Sequence, residues 1–295
     1  MFTFPKNRMS QKAPMAVVLL FCLMVFFLVA TSLLLMAING KFTNPVAGLR
    51  ISAVIQDLLI FIVPAIAVAM LSTRYPASLL SVDKLPDLKI TLMALATLIV
   101  SVPAMNLLVE WNQNIKLPES MAAIETAMRG MEKAAADTIN LLFKEHSVGA
   151  LIVNVLIIGV LAGFSEELFF RGALQRLLTV GGRNIHLMIW VTAFVFSAFH
   201  LQFYGFVPRL LLGAFFGYLL CWTGSLWLPI LIHAVNNSIV VITQWNNNGG
   251  ENGVDINKIG AEGSDAGTIL LVAGSVLCTL SLLYLMKRRS DRLAG

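Results

Sequence analysis

Eight long apolar runs decide most of what this chain can become. They are Met15–Ile38, Ile51–Leu71, Ile90–Val109, Val148–Phe164, Ile185–Leu201, Phe206–Trp222, Leu226–Trp245 and Thr268–Met286. Lipid offers no hydrogen bonds to a backbone, so a segment that crosses it must satisfy its own N–H and C=O groups. Runs of roughly 20 apolar residues do this as helices long enough to span the hydrocarbon layer. Composition agrees: 58% of residues are hydrophobic and only 13% are charged, against about a quarter charged in a soluble domain. The expectation is an all-α polytopic membrane helical bundle of about eight transmembrane helices plus one amphipathic helix. The net charge of +5 is no nucleic-acid footprint, because the basic residues flank apolar runs instead of clustering on a soluble element.

The first run is too long for the apolar region of a signal peptide and no clear cleavage site follows it, so it reads as a retained span. Pro103 should kink the third run. Glu110 to His146 is different in kind. Met121, Ile124, Met128, Met131, Ala135 and Ile139 recur at helical spacing among Glu, Lys and Asp, which predicts an amphipathic helix at the membrane surface or capping the bundle. Asn246 to Gly267 is rich in Gly and Asn and reads as a mobile loop. The chain divides into 1–147 (helices 1–3 and the amphipathic helix), 148–245 (a core of helices 4–7) and 246–295 (polar loop and last helix). An even number of spans puts both termini on one side. Lys6, Arg8, Lys12, Arg74, Lys84, Lys89, Arg171, Arg176, Arg183 and the basic tail all fall on the side of the N-terminus, which places both termini in the cytoplasm. Cys22, Cys221 and Cys278 lie in apolar runs with neither metal-ligand nor disulfide spacing and are expected to be small packing residues. Trp222, Trp227 and Trp245, at span ends, fit an interfacial belt.

Two adjacent acids close the fourth run, in Ser165-Glu166-Glu167-Leu168-Phe169-Phe170-Arg171-Gly172. A charge at membrane depth costs at least about 2.5–3.5 kcal/mol, so each needs a partner, a wet cavity or a chemical task. Arg171 is one turn after Glu167 on the same helix face and can pair with it. Glu166 points about 100° away and has no cation on its own segment. Three more polar residues sit in apolar runs. His200 ends the fifth, while His233 and Asn237 share a face of the seventh at i,i+4. A carboxylate and two imidazoles from three helices form a familiar zinc set. They serve equally well to activate water without a metal: Glu166 takes a proton from water, and an imidazole and the Asn237 amide donate to an oxyanion. Asn is a poor zinc ligand and a good oxyanion donor, which favours the second arrangement and no cofactor. One geometric tension remains. His200 falls near the outer end of its run and Glu166 toward the cytoplasmic part of its own, so the two can meet only if the fourth helix continues past Arg171, to about Leu178. Asp57 and Gln56, in the second run, suit interhelical bonding or a wet vestibule. His146 and His186 fall at span ends and should be solvated. Gly213 and Gly217 form a small-xxx-small face for close helix packing.

Glu-Glu-x-x-x-Arg at Glu166, Glu167 and Arg171, Phe-x-x-x-His at Phe196 and His200, and His-x-x-x-Asn at His233 and Asn237 occur in that order on successive apolar segments. This set resembles the three motifs of the CAAX protease and bacteriocin-processing (Abi) family of intramembrane glutamate-dependent endopeptidases. The resemblance covers the fourth to seventh spans directly. It implies that Glu166 and His200 activate the water, that His233 and Asn237 hold the oxyanion, and that Glu167, Arg171 and Phe196 shape the site. It implies a membrane-associated or lipid-modified peptide or protein as substrate, the lipid bilayer as surroundings, no nucleic-acid partner, and a bacterial cytoplasmic membrane as location. No Ser or Cys is placed as a nucleophile, so hydrolysis would proceed without a covalent enzyme intermediate. Three alternatives are a zinc-dependent version of the same protease, a non-catalytic immunity, scaffold or regulatory membrane protein, and a transporter using Glu166 and the histidines as a proton relay.

Overall fold

The computed structural model describes residues 9–39, 41–249, 258–261 and 265–294, and every regular element among them is helical. The helices of ten residues or more are α1 (Met9–Asn39), α2 (Pro45–Ser72), α3 (Leu88–Val100), α4 (Val102–Gln113), α5 (Ala122–Leu142), α6 (Val148–Thr179), α7 (Ile185–Phe199), α8 (Phe206–Thr223), α9 (Trp227–Gly249) and α10 (Ala266–Ala294). Six of the described helices are long and apolar enough to cross a membrane, and a seventh span results if α3 and α4 are one bent crossing. The fifth apolar run became α7, a helix of 15 residues. The protein is therefore an integral-membrane helical bundle, with one of the expected crossings broken and another short.

Local chemistry sets the ends. Asn44 caps α2, accepting from the amides of Val46 and Ala47, and Pro45 supplies a preset first-turn φ. Ser147 caps α6 through the amide of Ala150, and Asn184 caps α7 through those of His186 and Leu187. Gly224 ends α8 in the left-handed region at φ 65°, where a side chain would be strained. The kink expected at Pro103 is a 51° break between α3 and α4, centred on Ser101.

The site depends on α6. It runs on to Thr179, 32 residues in all, so Glu166 lies in mid-helix instead of near an end. α7 is only about 22 Å long at 1.5 Å per residue, short of the ~30 Å hydrocarbon thickness, so the histidine at its end stays at depth. These two lengths remove the tension between Glu166 and His200. Two stretches of α6, Val155–Leu161 and Leu168–Gln175, are π-helical, as is Asp57–Ile62 of α2. Wide turns of this kind re-aim side chains and occur often at functional sites; here all eight residues from Leu168 to Gln175 are buried.

One core forms where α1, α2 and α7 close on α6, with Leu20, Ala65, Val68, Phe169, Phe170 and Phe196 at its centre. A second joins α3, α8, α9 and α10 through Ile90, Ala94, Phe216, Leu219, Ile232 and Met286. α6 and α9 approach very closely. A Cβ on Gly163 would stand 3.0 Å from the backbone nitrogen of Ala234, and one on Gly159 2.5 Å from Ser238 Oγ.

The amphipathic helix is present but shorter than the segment expected, since Glu110–Gln113 continue α4. No residue of α5 is buried; ion pairs Glu125–Arg129 and Lys133–Asp137 mark its wet side, and Ile124, Met131 and Ile139 are exposed. Half of the loop expected over Asn246–Gly267 lies outside the described residues. Its residues 246–249 extend α9, and its residues 258–261 are docked, with Ile259 O accepting from Asn106 Nδ2. The cysteines are free, but Cys22 and Cys278 are exposed on the bundle's outer surface and do not pack in the core as expected.

Candidate active site

Glu166 and Glu167 have opposite surroundings. Glu167 is fully buried, and its Oε1 accepts from Arg171 Nη1 and from His233 Nδ1, both at 2.8 Å. The expected i,i+4 pair with Arg171 therefore forms, and the same oxygen also reaches across to α9. Arg171, equally buried, donates from Nη2 to Gly213 O at 2.9 Å, and its guanidinium lies 4.3 Å over the Phe196 ring and 5.4 Å from that of Phe216. The small-xxx-small face of α8 thus does more than admit a helix. A Cβ on Gly213 would meet Arg171 Nη2 at 3.1 Å, and one on Gly217 would meet Gln175 Oε1 at 2.7 Å. The glycines make room for polar side chains of α6, and Gln175 Nε2 bonds Gly217 O at 3.1 Å.

Glu166 faces away from this network. Its Oε2 is buried and has no hydrogen-bond partner among the described residues. It stands 3.9 Å from His200 Nε2 and 3.8 Å from His233 Nε2, so side chains of α6, α7 and α9 converge on one point. Those separations exceed a direct hydrogen bond and suit a small bridging molecule.

Both imidazoles are oriented from behind. His200 Nδ1 is 2.9 Å from Phe196 O. A carbonyl can only accept, so Nδ1 carries a proton, and in the neutral ring it is the Nε2 lone pair that faces Glu166. His233 Nδ1 likewise donates to Glu167, and its ring stacks on Phe216 at 4.8 Å and 23°. Phe196, named from its motif alone, turns out to hold three things: the Arg171 cation on its face, the His200 ring edge-on at 5.0 Å, and the His200 proton at its carbonyl. Asn237 lies one turn beyond His233, with Nδ2 3.3 Å from Ile158 O, which leaves one amide N–H uncommitted.

Some residues were missed. Asp57 accepts from Ser165 Oγ at 2.8 Å, tying α2 to the residue before Glu166; interhelical bonding was expected of it, the partner was not. Phe216 gave no sequence signal beyond its place beside Gly213 and Gly217. Gly159 and Gly163 show the same four-residue spacing and were overlooked; they bring His233 to α6. Leu201, just after His200, has φ 53°, a strained left-handed value. The next residue, Gln202, accepts from Arg209 Nη1 at its Oε1 and from Nη2 at its carbonyl, at 2.8 and 2.6 Å. His146 and His186 are exposed, as expected, each with one partner, Trp245 O and Tyr218 Oη. Among the described residues no three His, Cys, Asp or Glu side chains are arranged to hold a metal ion.

Residues 148–239 match a family model described as "Type II CAAX prenyl endopeptidase Rce1-like". That segment is Rce1-like. The match begins at the first residue of α6 and ends inside α9, so the Rce1-like segment contains Glu166, His200, His233 and Asn237. An uncharacterised protein of Bacillus subtilis strain 168, YpbD, is 25% identical over 92 residues, 30% of this chain and 44% of that protein. The chain therefore aligns with less than half the length of that relative. No solved structure matches.

Proposed function

We propose that this protein is an intramembrane endopeptidase that hydrolyses a peptide bond of a membrane-associated or lipid-modified substrate. The observation that carries the reading is the convergence of Glu166 Oε2 with the Nε2 atoms of His200 and His233, from three helices. A water at that point would lie within reach of all three. Glu166 accepts its proton while the lone pair of His200 Nε2 orients it, and the water oxygen attacks the scissile carbonyl carbon. The carbonyl oxygen becomes an oxyanion. His233, doubly protonated, donates from Nε2, with Glu167 balancing the imidazolium through Nδ1; the free N–H of Asn237 is the second donor. Glu166 then returns the proton to the amide nitrogen, the C–N bond breaks, and an acid and an amine leave. The family description supports a peptide bond as the target. The basic residues beside the spans support a cytoplasmic position for both termini, and the Bacillus subtilis relative supports a bacterial cytoplasmic membrane as the setting.

The test is cleavage of labelled membrane peptides in liposomes by the wild type, Glu166→Ala and His200→Ala. Both variants should lose activity by a factor of about 10²–10⁴, the usual worth of a general base. Undiminished cleavage by Glu166→Ala would sink the reading of Glu166 as the base, and no cleavage by the wild type would favour a non-catalytic scaffold or regulatory role. Elemental analysis of the active protein, with chelator treatment, separates this mechanism from a zinc-dependent one.

A further inference from the structure

The structure carries a second chemical feature, far along the chain from the three motifs. Asp87 caps α3, and its carboxylate accepts from Arg289 Nε and Nη2 at 2.5 and 2.7 Å, which ties the start of α3 to the end of α10. Beside this tie is a concavity of about 400 Å³ lined by Lys89, Leu92, Met93, Leu285, Arg288, Arg289 and Arg292. Asp87 neutralises only Arg289, and Asp291 is taken by Lys287 at 2.8 Å. Lys89, Arg288 and Arg292 have no anionic partner among the described residues.

The order of the lining residues along the two helices is informative. On α3, Lys89 is at the helix start, with Leu92 and Met93 one turn deeper. On α10, which ends at the same level, Arg288 and Arg292 are at the end, with Leu285 one turn deeper. Leu92 and Leu285 are exposed, so the apolar floor of the pocket opens sideways on the bundle's outer surface, where acyl chains would lie. Membrane topology asks for cations at one end of a span. It does not ask that three unpaired ones line a single hollow with an apolar base.

We propose that this hollow binds the phosphate of an anionic phospholipid, with Lys89, Arg288 and Arg292 around the headgroup and Leu92, Met93 and Leu285 against the first methylenes of its chains. The inference is independent of the catalytic reading, since none of these residues belongs to the site on α6, α7 and α9.

Purified full-length protein in neutral detergent would be titrated with phosphatidylglycerol, phosphatidylcholine or inorganic phosphate. Retained lipid would be counted by native mass spectrometry and the melting temperature followed. Phosphatidylglycerol should be retained and raise the melting temperature, while the other two should do neither. A surface cation is worth about fivefold in anionic-lipid affinity, so Lys89→Gln/Arg288→Gln/Arg292→Gln should weaken retention on the order of a hundredfold. Should the triple variant not fold, Arg292→Gln alone should weaken it about fivefold. Equal retention of phosphatidylglycerol and phosphatidylcholine would overturn the proposal. So would an equal effect of inorganic phosphate, or unchanged phosphatidylglycerol affinity in a folded variant.

Discussion

Glu166 and Glu167 are neighbours in sequence with opposite physical situations, and their conservative amides should separate cleanly. Glu167→Gln removes the charge that compensates Arg171, both being fully buried. Breaking a buried pair by removing one partner costs roughly 3–5 kcal/mol, because the other charge is left stranded. Thermal unfolding in detergent should show that loss, together with a loss of activity as His233 comes free. Glu166→Gln should leave the melting temperature unchanged or raise it, since Oε2 has no partner to lose. Its effect should fall on cleavage alone. Asn237→Ala, measured as kcat on the same peptide, should cost about 10²–10³ if its free N–H meets the oxyanion; a change confined to KM would remove it from that role.

At the scale of elements, the close approach of α6 and α9 is set by Gly159 and Gly163. The nearest atoms to a Cβ at Gly163 are backbone atoms of Ala234, which cannot swing aside. Gly163→Val should therefore force α9 outward, cost about 1–3 kcal/mol from overpacking and reduce cleavage by moving His233. Gly274→Ala in α10, where nothing lies within 4 Å, is the control and should change neither. The tie between α3 and α10 gives a pH signature. Arg289, by hydrogen bonding above all, holds the Asp87 carboxyl down from 3.8 to about 2. A depressed carboxyl contributes stability that is present above its unfolded value and is lost as pH falls through the folded one. The difference in melting temperature between the wild type and Asp87→Asn should thus be constant from neutral pH to about 4 and shrink between about 4 and 2. A difference that persists at the lowest pH would show that the tie is not ionic.

For the whole molecule, orientation follows from where the cations lie. In a cysteine-free background, Asp291→Cys should resist a membrane-impermeant maleimide in intact cells and react after permeabilisation. Labelling of intact cells would invert the proposed topology.

Hydropathy and motif spacing alone established the helical bundle, the approximate spans, the kink at Pro103, the Glu167–Arg171 pair and the candidate residues, because each depends on composition or on the helical period. Those are local quantities, legible without knowing what lies across the bundle. Three things depended on the fold. The lengths of α6 and α7 decided that Glu166 and His200 share a depth, since a helix's end is set by caps and packing that hydropathy blurs. Gly213 and Gly217 proved to be sockets for Arg171 and Gln175, a use visible only once α6 lies against α8. The double duty of Glu167, bonded at once to Arg171 and His233, joins residues 66 positions apart. No pattern along one strand of sequence encodes such a contact; it exists because helix packing brings the two side chains to 2.8 Å.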